Sequence, residues 1–205
     1  MTTRLELRTA LRHRLEDLGT APLWDDPTLN EFLTGASHRY GAMFPRELAT
    51  TVSVEVGVMS VPVPSVAIEG TRIIRVLDDA GALVRRARDD PNEPDSAVGG
   101  ILLGQAWRWW DRTLLLQRPA PRTSSWRIEH LGSRELPSDD VTQADLIPGD
   151  EEIVVALAAA TALRRRAVED GKRGSAGSSI TREADAAERD AEQLAGNRRR
   201  RTRGG

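Results

Sequence analysis

The segment Ile153–Leu163 constrains the fold of this chain more than any other part of its 205 residues. It is apolar on every side, so a helix built from it has no polar face to turn toward water. It is also much shorter than the ~20 apolar residues that a helix needs to span a bilayer. We therefore predict a buried central helix, contacted from several directions, with Glu151 and Glu152 complementing the helix dipole in its first turn.

Helical periodicity also marks both ends of the chain. The spacing of Leu7, Leu11, Leu15 and Leu18 predicts a helix over Thr3–Leu18. A second helix is predicted to begin at Asp25 or Asp26, where either carboxylate caps free N–H groups and Pro27 fits the first turn, and to end at Pro45. The last helix, Thr181–Ala195, offers mainly alanines to a neighbour, namely Ala184, Ala187 and Ala191, with Leu194 beside them.

Between the helices the period changes to two, which is typical of strands with one buried face. Val52, Val54 and Val56 alternate with polar residues, and Asp78–Gly81 has the chemistry of a hairpin turn. Proline limits the second strand and marks it as an edge. The further predicted strands are Val58–Val63, Thr71–Leu77, Leu83–Arg88, Trp107–Trp110, Thr113–Gln117 and Ser125–Leu131, with a solvated loop at Asp89–Ser96. The residues thus indicate an α+β chain with helical ends and a β-rich middle.

Charge is distributed unevenly although the formal net charge is only −2. Seven acidic residues and no basic one lie between Glu135 and Glu152, whereas five arginines and no acid lie between Arg198 and Arg203. Such asymmetry is more informative than the net value. We predict a solvated acidic connector and a basic C-terminal tail that is disordered in the free monomer.

The chain lacks the residue patterns of known catalytic sites. It has no cysteine, which excludes thiolate metal sites and cysteine nucleophiles, and its three histidines, His13, His38 and His130, lie on different predicted elements. Asp25–Asp26 is interpreted as helix capping and Asp139–Asp140 as a solvated loop. No glycine-rich phosphate loop or nucleophile motif occurs. We predict no catalytic, metal or cofactor site and a protein that is not an enzyme.

Two segments are candidate interaction surfaces. Trp107, Trp109 and Trp110 either stack on nucleic acid beside neighbouring arginines, or form a strand with Trp107 and Trp109 on the core face and Trp110 on the other face. We favour the second interpretation. The arginines of the tail either grip DNA phosphates, dock into an acidic groove of a partner, or only solubilise the end of the chain; they are Arg198, Arg199, Arg200, Arg201 and Arg203.

The order of these segments resembles a known family. In the head-to-tail adaptor (connector) proteins of tailed bacteriophages and gene transfer agents, an N-terminal helix leads through a loop to Trp-x-Asp and then to a helix ending in Tyr and Phe-Pro. The segment LRHRLEDLGTAPLWDDPTLNEFLTGASHRYGAMFPRE is similar, with Trp24, Asp26, Tyr40 and Phe44-Pro45 at those positions. Val61-Pro62, the hairpin from Val76 to Leu83, and IPGDEEIVVALAAATALRRRA from Ile147 to Ala167 continue the pattern. The triple-tryptophan strand departs from it.

The resemblance implies a fold and an assembly. The implied fold is a four-helix bundle with an antiparallel β-domain inserted between helices 2 and 3, and a basic C-terminal tail that is disordered or partner-bound. The corresponding domains are residues 1–47 and 148–195 for the bundle, 48–136 for the β-rich insertion, 137–147 for the acidic linker and 196–205 for the tail.

The implied function is that of a structural virion protein at the head–tail interface, present in the host cytoplasm during assembly. Copies of the chain would form a ring, as a dodecamer, between the portal protein and a downstream tail or stopper protein. DNA would pass through the channel without sequence-specific binding, and no membrane is involved. The arginine tail is then a candidate portal contact and the tryptophan strand a candidate subunit or tail contact. The alternatives are a nucleic-acid-binding protein and another head or tail completion protein.

Overall fold

The computed structural model of the chain describes residues 2–64, 72–87, 105–172 and 178–203, so the predicted loop Asp89–Ser96 lies outside the described residues. The chain divides into two compact units, one formed by Met1–Pro45 with Ser133–Gly205 and the other by Arg46–Gly132. The helices are α1 (Arg4–Arg14), α2 (Asp26–Met43), α3 (Glu151–Lys172) and α4 (Ser178–Arg203). The strands are β1 (Arg46–Val54), β2 (Ser60–Pro62), β3 (Ile73–Leu77), β4 (Leu83–Arg86), β5 (Ala106–Trp110), β6 (Thr113–Leu116) and β7 (Ser124–Gly132).

In the helical unit, α3 is the central element, as the apolar segment predicts. Every residue from Ile153 to Ala160 is buried, and Thr161 is the first exposed position after them. The helices α1, α2 and α4 each pack against α3. Alanines predominate at the buried positions of α3, so neighbouring helices can approach it closely.

The starts of α1 and α2 are fixed by side-chain caps. Thr3 and Glu6 form a reciprocal capping box at α1. At α2, the Thr28 N–H donates to the Asp25 carboxylate at 2.9 Å, which confirms the predicted cap. The predicted end of α1 at Leu18 is wrong, because Glu16 has a φ of 54° and the helix stops at Arg14.

The β unit is a seven-stranded sheet with the order β1-β7-β3-β4-β5-β6-β2. Its two edge strands, β1 and β2, are consecutive in the chain and are separated only by residues 55–59. A link of five residues reaches at most about 18 Å, so the sheet must curl until its edges approach each other. The result is a half-barrel whose concave side holds a core that includes Val54, Val76 and Ile128.

The predicted strand pairing is partly confirmed. The hairpin turn between β3 and β4 is present, with the Asp78 carboxylate accepting from the N–H groups of Ala80 and Ala82 at 3.0 and 2.8 Å. The strand limited by proline, β2, is an edge strand as expected.

The predicted fold class, a four-helix bundle with an inserted antiparallel β-domain, is wrong. The sheet is mixed, because β4 and β5 pair in parallel. An antiparallel β-domain would require a short connection between these strands, whereas residues 87–105 are long enough for the crossover that parallel pairing requires. The helices do not surround one shared axis either: α3 is the only described helix that contacts α4 along its length. The tail is also misassigned, since α4 continues through Gly196 to Arg203.

No helix in the described ranges is long and apolar enough to cross a membrane.

Candidate interaction surfaces

The basic end of α4 meets the start of α3 at a buried carboxylate. The Asp150 side chain accepts a hydrogen bond from the Tyr40 hydroxyl at 2.7 Å, and the Arg198 Nε lies 3.4 Å from the same oxygen. Asp150 is only 4 % exposed and Tyr40 is fully buried. Burial and the hydrogen bond to Asp150 raise the pKa of the Tyr40 phenol well above its ordinary value. Arg198 therefore supplies positive charge where a lone carboxylate would be unfavourable.

A second contact holds the same end of α4. The Arg199 guanidinium lies 5.7 Å from the centre of the Phe44 ring, within the range of a cation–π interaction. The Phe44 carbonyl accepts from Arg134 Nε at 2.6 Å, and Arg134 also pairs with Asp145 at 2.9 Å. Two of the five candidate portal-binding arginines thus contact their own chain, while Arg200, Arg201 and Arg203 lie in the last turn and a half of α4.

Between its ends, α4 is held by alanines and ion pairs. Ala184, Ala191 and Ala195 are buried, and the first two belong to the predicted alanine stripe. Glu188 pairs with Arg164 of α3 and with Arg39 of α2, and hydrogen bonds from these two arginines lower the pKa of its carboxyl. An alanine side chain buries little apolar area, and apolar burial contributes only ~25 cal/mol per Å², so the ion pairs supply contacts to α4 that its apolar face does not.

The acidic connector is exposed or half-buried along residues 137–149, as predicted, but its carboxylates also make specific contacts. The Asp140 carboxylate pairs with Arg4 and Arg8 of α1, each at 2.7 Å, and these contacts lower the pKa of Asp140. Asp139 accepts from the backbone N–H groups of Val141 and Thr142 and so fixes a turn. The sequence signal for this contact, which was not predicted, is the spacing of Arg4 and Arg8, four residues apart on one face of α1.

An open groove lies between α1, the first turns of α3 and the middle of α4. Its volume is about 780 Å³, and its apolar lining is formed by Leu7, Ala10, Val155 and Leu194. Four carboxylates line it, those of Glu6, Glu151, Glu152 and Asp190, together with His13 and Arg14. Arg14 of α1 pairs with Asp190 of α4, which leaves Glu6, Glu151 and Glu152 as the acidic part of the lining. The groove thus combines an apolar floor with an acidic rim, and no pattern in the sequence indicates it.

The tryptophan strand divides between the two faces of the sheet as predicted. Trp107 is 2 % exposed, and its Nε1 donates to the Val84 carbonyl at 3.0 Å. Trp109 packs partly buried against the same core, whereas Trp110 is 69 % exposed. The turn that follows Trp110 is strained, because Asp111 and Arg112 have φ values of 42° and 57° without being glycine.

The three histidines have unrelated environments. His130 of β7 is 2 % exposed, with Nε2 3.2 Å from Thr50 Oγ1, and burial lowers its pKa. His13 and His38 are exposed on α1 and α2. In the part of the chain that the structure describes, no three histidine or carboxylate side chains are grouped closely enough to hold a metal ion.

No protein-family model matches the chain, and no curated protein matches it significantly. The resemblance to head-to-tail adaptors therefore rests on the order of its sequence segments alone.

Proposed function

We propose that this chain is a structural virion protein, a head-to-tail adaptor that forms a ring between the portal and the tail and lines part of the DNA channel. One observation carries the proposal most directly. Tyr40, at the family-like end of α2, donates to Asp150 and accepts from the Ile147 N–H, and both residues lie where the family-like apolar helix opens. Two segments that lie far apart in the sequence, and that only the resemblance singles out, thus contact each other in the fold.

The arginines at the end of α4, which lie beside this contact, are the residues that bind the portal in this proposal. Arg198 and Arg199 are engaged by Asp150 and Phe44, so a portal surface that recruits them must compete with contacts inside the chain. Arg200, Arg201 and Arg203 follow on the same helix and extend the positive charge. A portal site of acidic character would complement them.

The proposal is tested by electron microscopy and native mass measurement of the purified full-length chain mixed with the portal protein. We expect a closed ring of copies on the narrow end of the portal. Absence of any complex, or binding at another part of the capsid, would overturn the proposal.

The role of the arginines is tested by a matched pair of variants. One replaces Arg199, Arg200, Arg201 and Arg203 by glutamine and keeps Arg198, so that the buried Asp150 retains its partner. The control removes the same charge from exposed helix positions, at Arg165, Arg166, Arg182 and Arg189. We expect portal affinity to fall in the first variant alone. Equal affinity in both variants would show that the arginine end is not the portal contact.

A further inference from the structure

We propose that the hairpin tip between β5 and β6 of one copy docks into the α1–α3–α4 groove of a neighbouring copy. The hairpin tip comprises Arg108–Thr113, and the groove is the one rimmed by Glu6, Glu151 and Glu152. This inference rests on the proposed function and identifies the contact by which copies of the adaptor join.

The hairpin tip has the features of an interface anchor. Trp110 is the most exposed aromatic side chain of the described residues, at 69 %, and Arg108 and Arg112 beside it are also exposed. Tryptophan and arginine are the residues that most often dominate binding energy at protein interfaces. The positive φ values of Asp111 and Arg112 hold the tip in a strained conformation, and such strain often accompanies a functional role.

The groove is complementary to this tip in both polarity and charge. Its floor of Leu7, Ala10, Val155 and Leu194 offers apolar contact to an indole ring. Glu151 accepts from Thr2 Oγ1 and Glu6 caps its own helix, so both carboxylates are held in place at the rim. Arginines on either side of a tryptophan can therefore reach carboxylates while the ring covers the floor.

The arginine end of α4 is the other basic segment able to enter such a groove in a second copy. It would satisfy the carboxylates, but it presents no large apolar side chain to the floor. The hairpin tip satisfies both requirements, and for this reason we assign the groove to it. Because donor and acceptor are different patches, the contact is head-to-tail and generates a ring or a filament.

The absence of cysteine allows a direct test by disulfide trapping between two single-cysteine variants of the full chain. Ala10→Cys places a thiol on the exposed part of the groove, and Asp111→Cys places one at the tip while keeping Arg108, Trp110 and Arg112. We expect the mixed disulfide to form about tenfold faster than in a control mixture of Ala10→Cys with Ala80→Cys, which lies on the exposed β3–β4 turn, since docking raises the effective thiol concentration.

Two further mixtures make the test decisive. Adding Trp110→Ser to the Asp111→Cys variant should reduce trapping to the control rate. Faster trapping of Ala10→Cys with Gly205→Cys would instead assign the groove to the arginine end and overturn the proposal, as would equal rates in all mixtures. Trapping is measured without the portal, so a portal-bound ring without this cross-link would refute only this contact, and trapping without portal binding would refute only the adaptor function.

Discussion

At the scale of single residues, the helical unit is distinguished by one satisfied and one unsatisfied buried hydroxyl on the same helix. Tyr40 donates to Asp150 at 2.7 Å and also accepts from the Ile147 N–H at 3.3 Å. Ser37, one turn earlier, is 1 % exposed and its Oγ has no hydrogen-bond partner among the described residues. A buried polar group without a partner costs free energy, whereas a partnered one adds stability.

This pair gives a prediction with an internal control. Tyr40→Phe keeps the ring but leaves Asp150 with Arg198 alone, so we expect the free energy of unfolding to fall by about 1–3 kcal/mol. Ser37→Ala removes a hydroxyl that has no partner and should leave stability unchanged or slightly higher. Urea unfolding of the two variants measures both effects. An equal loss in both would show that the hydrogen bond to Asp150 contributes nothing.

A second residue-scale prediction concerns pH and His130. The folded chain holds this buried imidazole neutral because burial lowers its pKa, while in the unfolded chain it binds a proton as pH falls through its ordinary value of 6.5. The unfolded state then carries more protons, so stability falls as pH drops below about 6.5. We expect His130→Gln to remove about 1 kcal/mol of the stability difference between pH 7.5 and pH 5.5.

The control for that experiment is His38→Gln, because His38 is exposed on α2. Thermal unfolding at the two pH values should give the same pH dependence for this variant as for the unmodified chain. If His130→Gln also retains the full dependence, the buried histidine is not its source.

At the scale of elements, α4 shows what a sequence pattern can and cannot predict. The stripe of Ala184 and Ala191 was visible and correctly indicates the face that packs on a neighbour. Its extension to Arg203 was not predicted, because Arg198 and Arg199 are stabilised by Asp150 and Phe44, partners that only the tertiary structure supplies. Local propensity in a run of arginines gave no signal of either contact.

The alanine stripe of α4 yields a prediction about how this helix packs on its neighbours. Ala191 is fully buried against the core, so Ala191→Leu should overpack its surroundings and lower the free energy of unfolding by about 1–3 kcal/mol. Ala186→Leu, at an exposed position of the same helix, is the matched control and should cost little. Hydrogen exchange should show α4 amides losing protection in the first variant while α3 keeps its own. Uniform loss across the unit would mean that α4 does not detach separately.

For the sheet, the sequence predicts the individual strands but not their order in space. All seven strands were anticipated from alternation and turn residues, and β2 was recognised as an edge from its proline. Their spatial order was not predicted, because the parallel partner of β4 depends on long-range pairing across residues 87–105. Periodicity identifies which face of a strand is buried, but not which strand lies beside it.

At the scale of the whole molecule, the β unit is continuous in the chain and has its own core. Its first and last strands, β1 and β7, pair along their whole length, from Arg46 opposite Gly132 to Val54 opposite Ser124. We expect a fragment of residues 46–132 to fold independently, with cooperative urea unfolding and sheet-type circular dichroism. A fragment that shows neither would mean that the half-barrel depends on the helices.

The adaptor function also makes a prediction about DNA. With a net charge of −2, and with two of the terminal arginines engaged inside the chain, duplex binding should be weak, about micromolar or weaker, and indifferent to sequence. Fluorescence titration at several salt concentrations measures it. Tight binding that depends on sequence would favour the nucleic-acid-binding alternative, and the exposed Trp110 would then be the first position to substitute.

The helical unit is formed by two separate parts of the chain, and this has a consequence for folding during synthesis on the ribosome. Residues up to Pro45 are made first, but the central helix α3 begins only at Glu151, after the whole β unit. Because synthesis proceeds at about 5–20 residues per second, roughly 5–20 s pass between the completion of α2 and the start of the helix that covers the apolar faces of α1 and α2. The half-barrel can complete its pairing during that delay. The nascent chain therefore carries Leu29, Phe32 and Leu33 exposed for that time, and these side chains are the natural target for a chaperone.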